Sequence, residues 1–171
     1  MKKLGQFYIS EKSLNQFIHQ DGKKEKNLED KLSNHINKLF TDISELIIKY
    51  KKKKCKNIID IGCGLSFVNG ILSKNLNKTI FYNLDKYDNN GVEHSGKYHE
   101  NSDDFKTRCD VEITKQFHID NDIDISRQVY LDSKDIDTIK DVKFDIILSV
   151  ASWCFHYSFE TYENIVKNNT T

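Results

Sequence analysis

Residues Asn57 to Gly64 constrain this chain most. Ile58, Ile59 and Ile61, with Asp60 among them, run directly into Gly62 and Gly64. A short apolar run bounded by turn residues predicts a strand buried on both faces, as in a parallel sheet. Glycines at its end let the backbone turn sharply and come close to a ligand. Leu65 to Leu76 predicts a helix, because Phe67, Ile71, Leu72 and Leu76 share one face. Strand, Gly-x-Gly turn and helix together give the layout of a nucleotide-type site.

A dinucleotide site needs G-x-G-x-x-G, and Phe67 stands where the third glycine would be. A second acid follows instead. Thr79 to Asp85 alternates β-branched and aromatic residues and ends in a carboxylate. Asp85 lies about 20 residues past the glycines, where an acid can accept both ribose hydroxyls of an adenosine. Gln128 to Asp132 predicts a third strand and Lys143 to Val150 a fourth.

The D-x-G-x-G pattern of Asp60, Gly62 and Gly64 resembles the first motif of class I S-adenosylmethionine (SAM) dependent methyltransferases. Ser66 stands where that family often has a third small residue. The Phe144-Asp145 run resembles the family's fourth strand, and the resemblance spans Asn57 to Tyr157. It implies an α/β, Rossmann-like, doubly wound and mostly parallel sheet. It also implies SAM as the cofactor, held by Asp60, Gly62, Cys63, Gly64 and Asp85. Asp132 would lie near the adenine amino group, and Ser149, near the end of the fourth strand, is a further cofactor-binding candidate.

Ser152 to Tyr157 resembles a Ser-Trp-Gly-Phe-His-Tyr stretch of sugar O-methyltransferases, with Cys154 in place of the glycine. In a doubly wound sheet this segment falls beyond the strand ends, where ligands sit. His156 is the candidate catalytic base for a hydroxyl acceptor, since an imidazole titrates near working pH. Its alternative is a packing histidine. The resemblance thus implies methyl transfer to a sugar or other small-molecule hydroxyl. An RNA methyltransferase and an inactive, methyltransferase-like binding module are the other readings. An NAD-dependent oxidoreductase is disfavoured by Phe67. The chain has no proline, which excludes the D/N-P-P-Y/F motif of enzymes methylating exocyclic base amines and the Pro-Cys nucleophile of cytosine C5 enzymes.

The 171 residues suit one domain, and 26 basic against 26 acidic residues give no net field toward nucleic acid or membrane. Nucleic acid is not excluded as a partner. No apolar run is long enough to span a membrane, and the N-terminus has no signal-peptide pattern. Cys55, Cys63, Cys109 and Cys154 form no C-x-x-C pair, so neither a zinc site nor a disulfide framework is expected. A cytoplasmic setting is the expectation. Residues 86–110 form a polar stretch whose His94, His99, Glu100, Asp103 and Asp104 lack metal-ligand spacing. No metal is expected there, and the stretch reads as a surface or substrate loop.

Residues 1–52 read as an N-terminal helical region and 53–171 as the SAM-binding domain. Ser10 to His19 predicts a short helix, with Ser13 and Gln16 at capping-box spacing. Leu28, Leu32, Ile36, Leu39, Phe40, Ile43, Leu46, Ile47 and Tyr50 predict a long amphipathic helix packed on the core. Asn27 is its expected cap, and Lys51 to Lys54 suits its C-terminal end. A further helix is expected over Val111 to Ile119, and another over Phe159 to Val166. Four candidate strands are fewer than the family's sheet carries. The expected sheet is therefore incomplete, with an open edge that a partner, a second copy or further chain would cover.

Overall fold

The computed structural model describes residues 1–18, 28–50, 55–85, 87, 110–150, 160 and 162–171. The chain opens on an antiparallel hairpin of β1 (Lys2–Leu4) and β2 (Phe7–Ile9). Helix α1 (Glu11–Ile18) follows, then α2 (Leu28–His35), a π-helical turn (Ile36–Phe40) and α3 (Thr41–Tyr50). Four strands then build a parallel sheet: β3 (Asn57–Ile61), β4 (Ile80–Asp85), β5 (Gln128–Asp132) and β6 (Ile146–Leu148). Their order is β5-β4-β3-β6. Helix α4 (Phe67–Ser73) links β3 to β4, α5 (Val111–Asp120) precedes β5, and α6 (Glu163–Asn169) follows β6. This is an α/β, Rossmann-like sheet. The chain steps outward from β3 through β4 to β5 and then returns to β6 on the other side of β3. That reversal makes β3 and β6 the switch point at which such sheets bind ligands.

Alternation along the strands divides the core. Ile58 and Phe81 pack with Val68 and Leu72 of α4 on one face. Ile59, Ile61, Leu84 and Leu131 pack with Ile139, Phe144, Tyr162 and Ile165 on the other. A third cluster joins the N-terminal region to the sheet's helices: Leu4, Phe7, Leu14, Leu32 and Ile36 meet Leu65, Phe67, Ile71 and Phe117. Phe7 is its centre, fully buried, with ring centroids 5.4 Å from Phe67 and 5.3 Å from Phe117.

Two polar residues fasten the sheet. Asp145 accepts the Lys56 and Asn57 amides through Oδ2, at 2.7 and 3.1 Å, and so ties the start of β3 to the start of β6. Arg127 donates to the carbonyls of Ser73, Leu76 and Thr79, at 2.9, 2.7 and 3.3 Å. Those carbonyls lie at and beyond the end of α4, where a helix leaves its last acceptors unpaired.

Several expectations are corrected. The N-terminal region, expected to be helical, begins with a hairpin; its strands have three residues each, too few for a periodic signal. The cap of α1 is Ser10, whose Oγ accepts the Ser13 amide at 3.0 Å, so the Ser13–Gln16 pair is not the capping box. The long helix is continuous in sequence but not regular. Leu32, Ile36, Phe40 and Ser44 turn inward every fourth residue, a spacing that drifts off one face at 3.6 residues per turn. The π turn at Ile36–Phe40 takes up the drift. Leu39, Leu46 and Tyr50 consequently stand exposed, against the expected core stripe. The fourth strand is shorter than predicted, and its preceding Phe144 bridges to Thr170 instead. Asn27, the Lys51–Lys54 run and most of the 86–110 stretch lie outside the described residues.

Phe7→Ala should destabilise the protein by about 3–5 kcal/mol, since it empties the contact between hairpin, α4 and α5. Urea denaturation checks this, and a loss below about 1 kcal/mol would show that the hairpin is not part of the core.

Candidate cofactor site

The glycine turn leaves the carboxyl end of β3. Gly62, Gly64 and Ser66 all take left-handed backbone angles, with φ of 71°, 56° and 59°. Three such residues in five reverse the chain within one loop, and only glycine adopts this region without steric cost. The Gly62 and Cys63 amides both donate to the Leu84 carbonyl, at 2.7 and 3.2 Å. The Gly64 amide donates to Asp85 Oδ2 at 2.7 Å. From the other side, Thr114 Oγ1 of α5 donates to the Gly64 carbonyl at 3.1 Å. A Cβ at Gly64 would meet no heavy atom within 4 Å, so the turn faces open space there.

Register brings the candidate acids to one edge of the sheet. Asp85 lies opposite Asp132, and Asp60 lies between Asn83 and Leu148. Asp132 is engaged locally: it accepts the Lys134 amide at 3.0 Å and pairs with the Lys134 ammonium at 3.3 Å. Ser149 Oγ donates to the Ile61 carbonyl at 2.7 Å, which braces the strand end just before the turn. Cys63 Sγ lies 3.3 Å from the Tyr87 hydroxyl. The structure thus brings Asp60, Gly62, Cys63, Gly64, Asp85, Asp132 and Ser149 to the carboxyl ends of four adjacent strands. His156 and Cys154 lie outside the described residues. Among the described residues no cluster of His, Cys, Asp and Glu is arranged to hold a metal, and no helix is long and apolar enough to cross a membrane.

Beneath the turn lies a polar layer that sequence reasoning missed. Asn83, fully buried on β4, accepts from Ser66 Oγ and from Asn69 Nδ2, the latter at 2.8 Å, and donates to Gln128 Oε1 at 3.0 Å. His118 of α5 is also fully buried, with Nδ1 2.7 Å from the Tyr130 hydroxyl. Burial lowers the His118 pKa to about 4, against the pull of the Ser66 and Leu65 backbone, so the ring is neutral at working pH. That backbone lies close, yet Nε2 completes no hydrogen bond. Burial also raises the Tyr130 hydroxyl, helped by Cys63 and Glu112. The available signal was Asn83 itself: an amide at an inward position of a buried strand demands partners.

Asp60 keeps 3 % exposure, and its Oδ1 is sealed without a hydrogen-bond partner. Burial first, and the nearby Asp85 second, hold its pKa well above the usual carboxylate range.

No family model matches the chain. No curated protein matches it either. A solved structure, the plantazolicin methyltransferase BpumL in complex with SAH, aligns with 94% of this chain at 15% identity and a TM-score of 0.42. The chain spans 45% of that protein's length.

The buried histidine gives a pH dependence of known sign. Its pKa is depressed in the folded protein, so the unfolded chain takes up the proton first. His118 therefore withdraws stability as pH falls from about 6.5 to about 4. The full loss is on the order of 3 kcal/mol. Denaturation of the wild type and His118→Gln over this range should show the wild type losing stability faster. Parallel curves would mean that the ring is solvated.

Proposed function

We propose that the chain binds SAM at the glycine turn and serves methyl transfer to a hydroxyl of a sugar or another small molecule. One observation carries the reading: a left-handed Gly-x-Gly turn at the end of the central strand, with its Gly64 amide held by the acid that ends the next strand. The residues fit the cofactor. The open side of Gly64 admits a ligand against the backbone. Asp85 and Asp132 end neighbouring strands in register; in this reading Asp85 would accept the ribose hydroxyls and Asp132 would lie near the adenine. When bound, SAM supplies an activated methyl group on a positively charged sulfur.

The turn argues against a dinucleotide. Phe67 occupies the third-glycine position and is buried among Phe7, Phe40 and Phe117, which closes the approach that a glycine would leave.

The protein's own part would be positioning and exclusion of water rather than covalent chemistry. Gly62 and Gly64 shape the cradle, Asp85 fixes the ribose and Ser149 holds the strand end. His156, on the segment after β6, is the proposed acceptor of the hydroxyl proton. A cytoplasmic setting agrees with this assignment, and a partner or second copy would pair the side of β6 on which the described residues place no strand.

Asp85→Ala should weaken SAM binding by about 1.5–3 kcal/mol, or roughly 10- to 150-fold in Kd. Calorimetry on folded protein checks it, and unchanged affinity would remove Asp85 from the site. His156→Ala should lower turnover by about 10²–10⁴-fold while SAM affinity stays near normal. Methyl transfer per folded molecule is the measurement, with radiolabelled SAM and a panel of sugars, other hydroxyl compounds and RNA. Full activity in the variant would deny His156 the role of base. Binding without transfer to any acceptor would favour an inactive binding module.

A further inference from the structure

Among the described residues, Asp60 is a buried carboxyl group that the cradle described above does not explain. Its sealed Oδ1 has no hydrogen-bond partner. Buried carboxylates ordinarily have a cation or several donors, because an unpaired charge in a dry interior is very costly. Strand alternation turns Asp60 to the same face as Ile58, toward α4, with Asn83 and Leu148 on either side in register.

Among the described residues, the surrounding elements supply no positive charge. On β4, Asp85 acts on Asp60 with a negative charge, and Tyr82 is turned to the other face. Neither α4 nor β6 carries a titratable residue. The turn contributes Cys63. On α3, Asp42, Glu45 and Lys49 are all exposed. On α5, Lys115 pairs with Glu112 at 2.7 Å, Asp110 caps the helix, Asp120 is partly exposed, and His118 is neutral at working pH.

We propose that Asp60 carries a proton in the free protein and releases it to solvent when a cationic ligand enters the glycine turn, so that the ionised carboxylate becomes the ligand's counter-charge. The O–H bond is the only bond broken, and the proton passes to the buffer. The proposal deepens the cofactor reading and rests on it. It makes the site selective for charge: a sulfonium nucleoside gains a counter-ion that a neutral nucleoside cannot recruit. The raised pKa of Asp60 in the free protein agrees with this.

Three measurements test it, with Asp60→Asn as the near-isosteric control. Infrared difference spectra of the free protein near neutral pH should contain a protonated-carboxyl band that Asp60→Asn removes. Its absence from the wild type would overturn the proposal whether or not SAM binds. Calorimetry of SAM in buffers of different ionisation enthalpy should show release of about one proton at a pH below the Asp60 pKa. Adenosine, which is neutral, should release none, and neither ligand should release one from Asp60→Asn. Proton-silent SAM binding, or release that survives in Asp60→Asn, would overturn it. If neither ligand binds, the cofactor reading fails and takes the ligand half with it, while the infrared band still decides the proton. The third measurement is stability. A raised folded-state pKa means that ionising Asp60 weakens the fold. Asp60→Asn should therefore be more stable than wild type, by a margin that widens as pH rises from about 4. A margin independent of pH would contradict the proton on Asp60.

Discussion

The Leu84 carbonyl fixes the rest of the site. It accepts both the Gly62 and Cys63 amides, and so sets where the chain leaves β3. Leu84 can do this because β4 is paired on both sides, with β3 and with β5, and cannot shift without breaking two ladders. The next residue, Asp85, takes the Gly64 amide. Two consecutive residues of one strand thus hold three consecutive amides of the turn. The opposite side is held by a longer chain of contacts. The Tyr8 amide donates to Asn121 Oδ1 at 2.6 Å, and Asn121 Nδ2 returns to the Tyr8 carbonyl at 2.8 Å. This clamps the N-terminal hairpin to the end of α5, whose Thr114 reaches the Gly64 carbonyl. The hairpin, remote in sequence from the turn, is therefore part of its support.

How much of this was legible depended on how local the signal was. The strands over Asn57–Ile61, Ile80–Asp85 and Gln128–Asp132 were readable because each is a short apolar or alternating run ended by an acid or followed by a glycine. The glycine turn was readable because a positive φ leaves a residue-type signature. The hairpin was not, since Leu4, Phe7 and Ile9 are too few to establish a period. The π turn was not, because an i+4 spacing reads as an ordinary amphipathic helix until Leu39, Leu46 and Tyr50 are seen facing solvent. Asn83, Gln128 and His118 escaped notice for a different reason. Their partners lie on other elements, and only the tertiary arrangement joins them.

Polar strain in the described residues is confined to one layer. The buried side-chain atoms without partners are Asp60 Oδ1, Asn69 Oδ1, His118 Nε2 and Gln128 Nε2. All four belong to residues between the β5-β4-β3 face and the α4–α5 layer. The opposite face, built on Ile59, Ile61, Leu84, Leu131, Phe144 and Tyr162, has no such atom among the described residues. An unsatisfied buried group costs about 1–3 kcal/mol, a large share of the margin by which a domain is stable. A protein departs from its own packing rules where function requires it. The asymmetry between the two faces agrees with the proposed seat of the ligand on the α4 side of the sheet. The other face is where the fold recovers its stability, with a core that obeys the rules throughout.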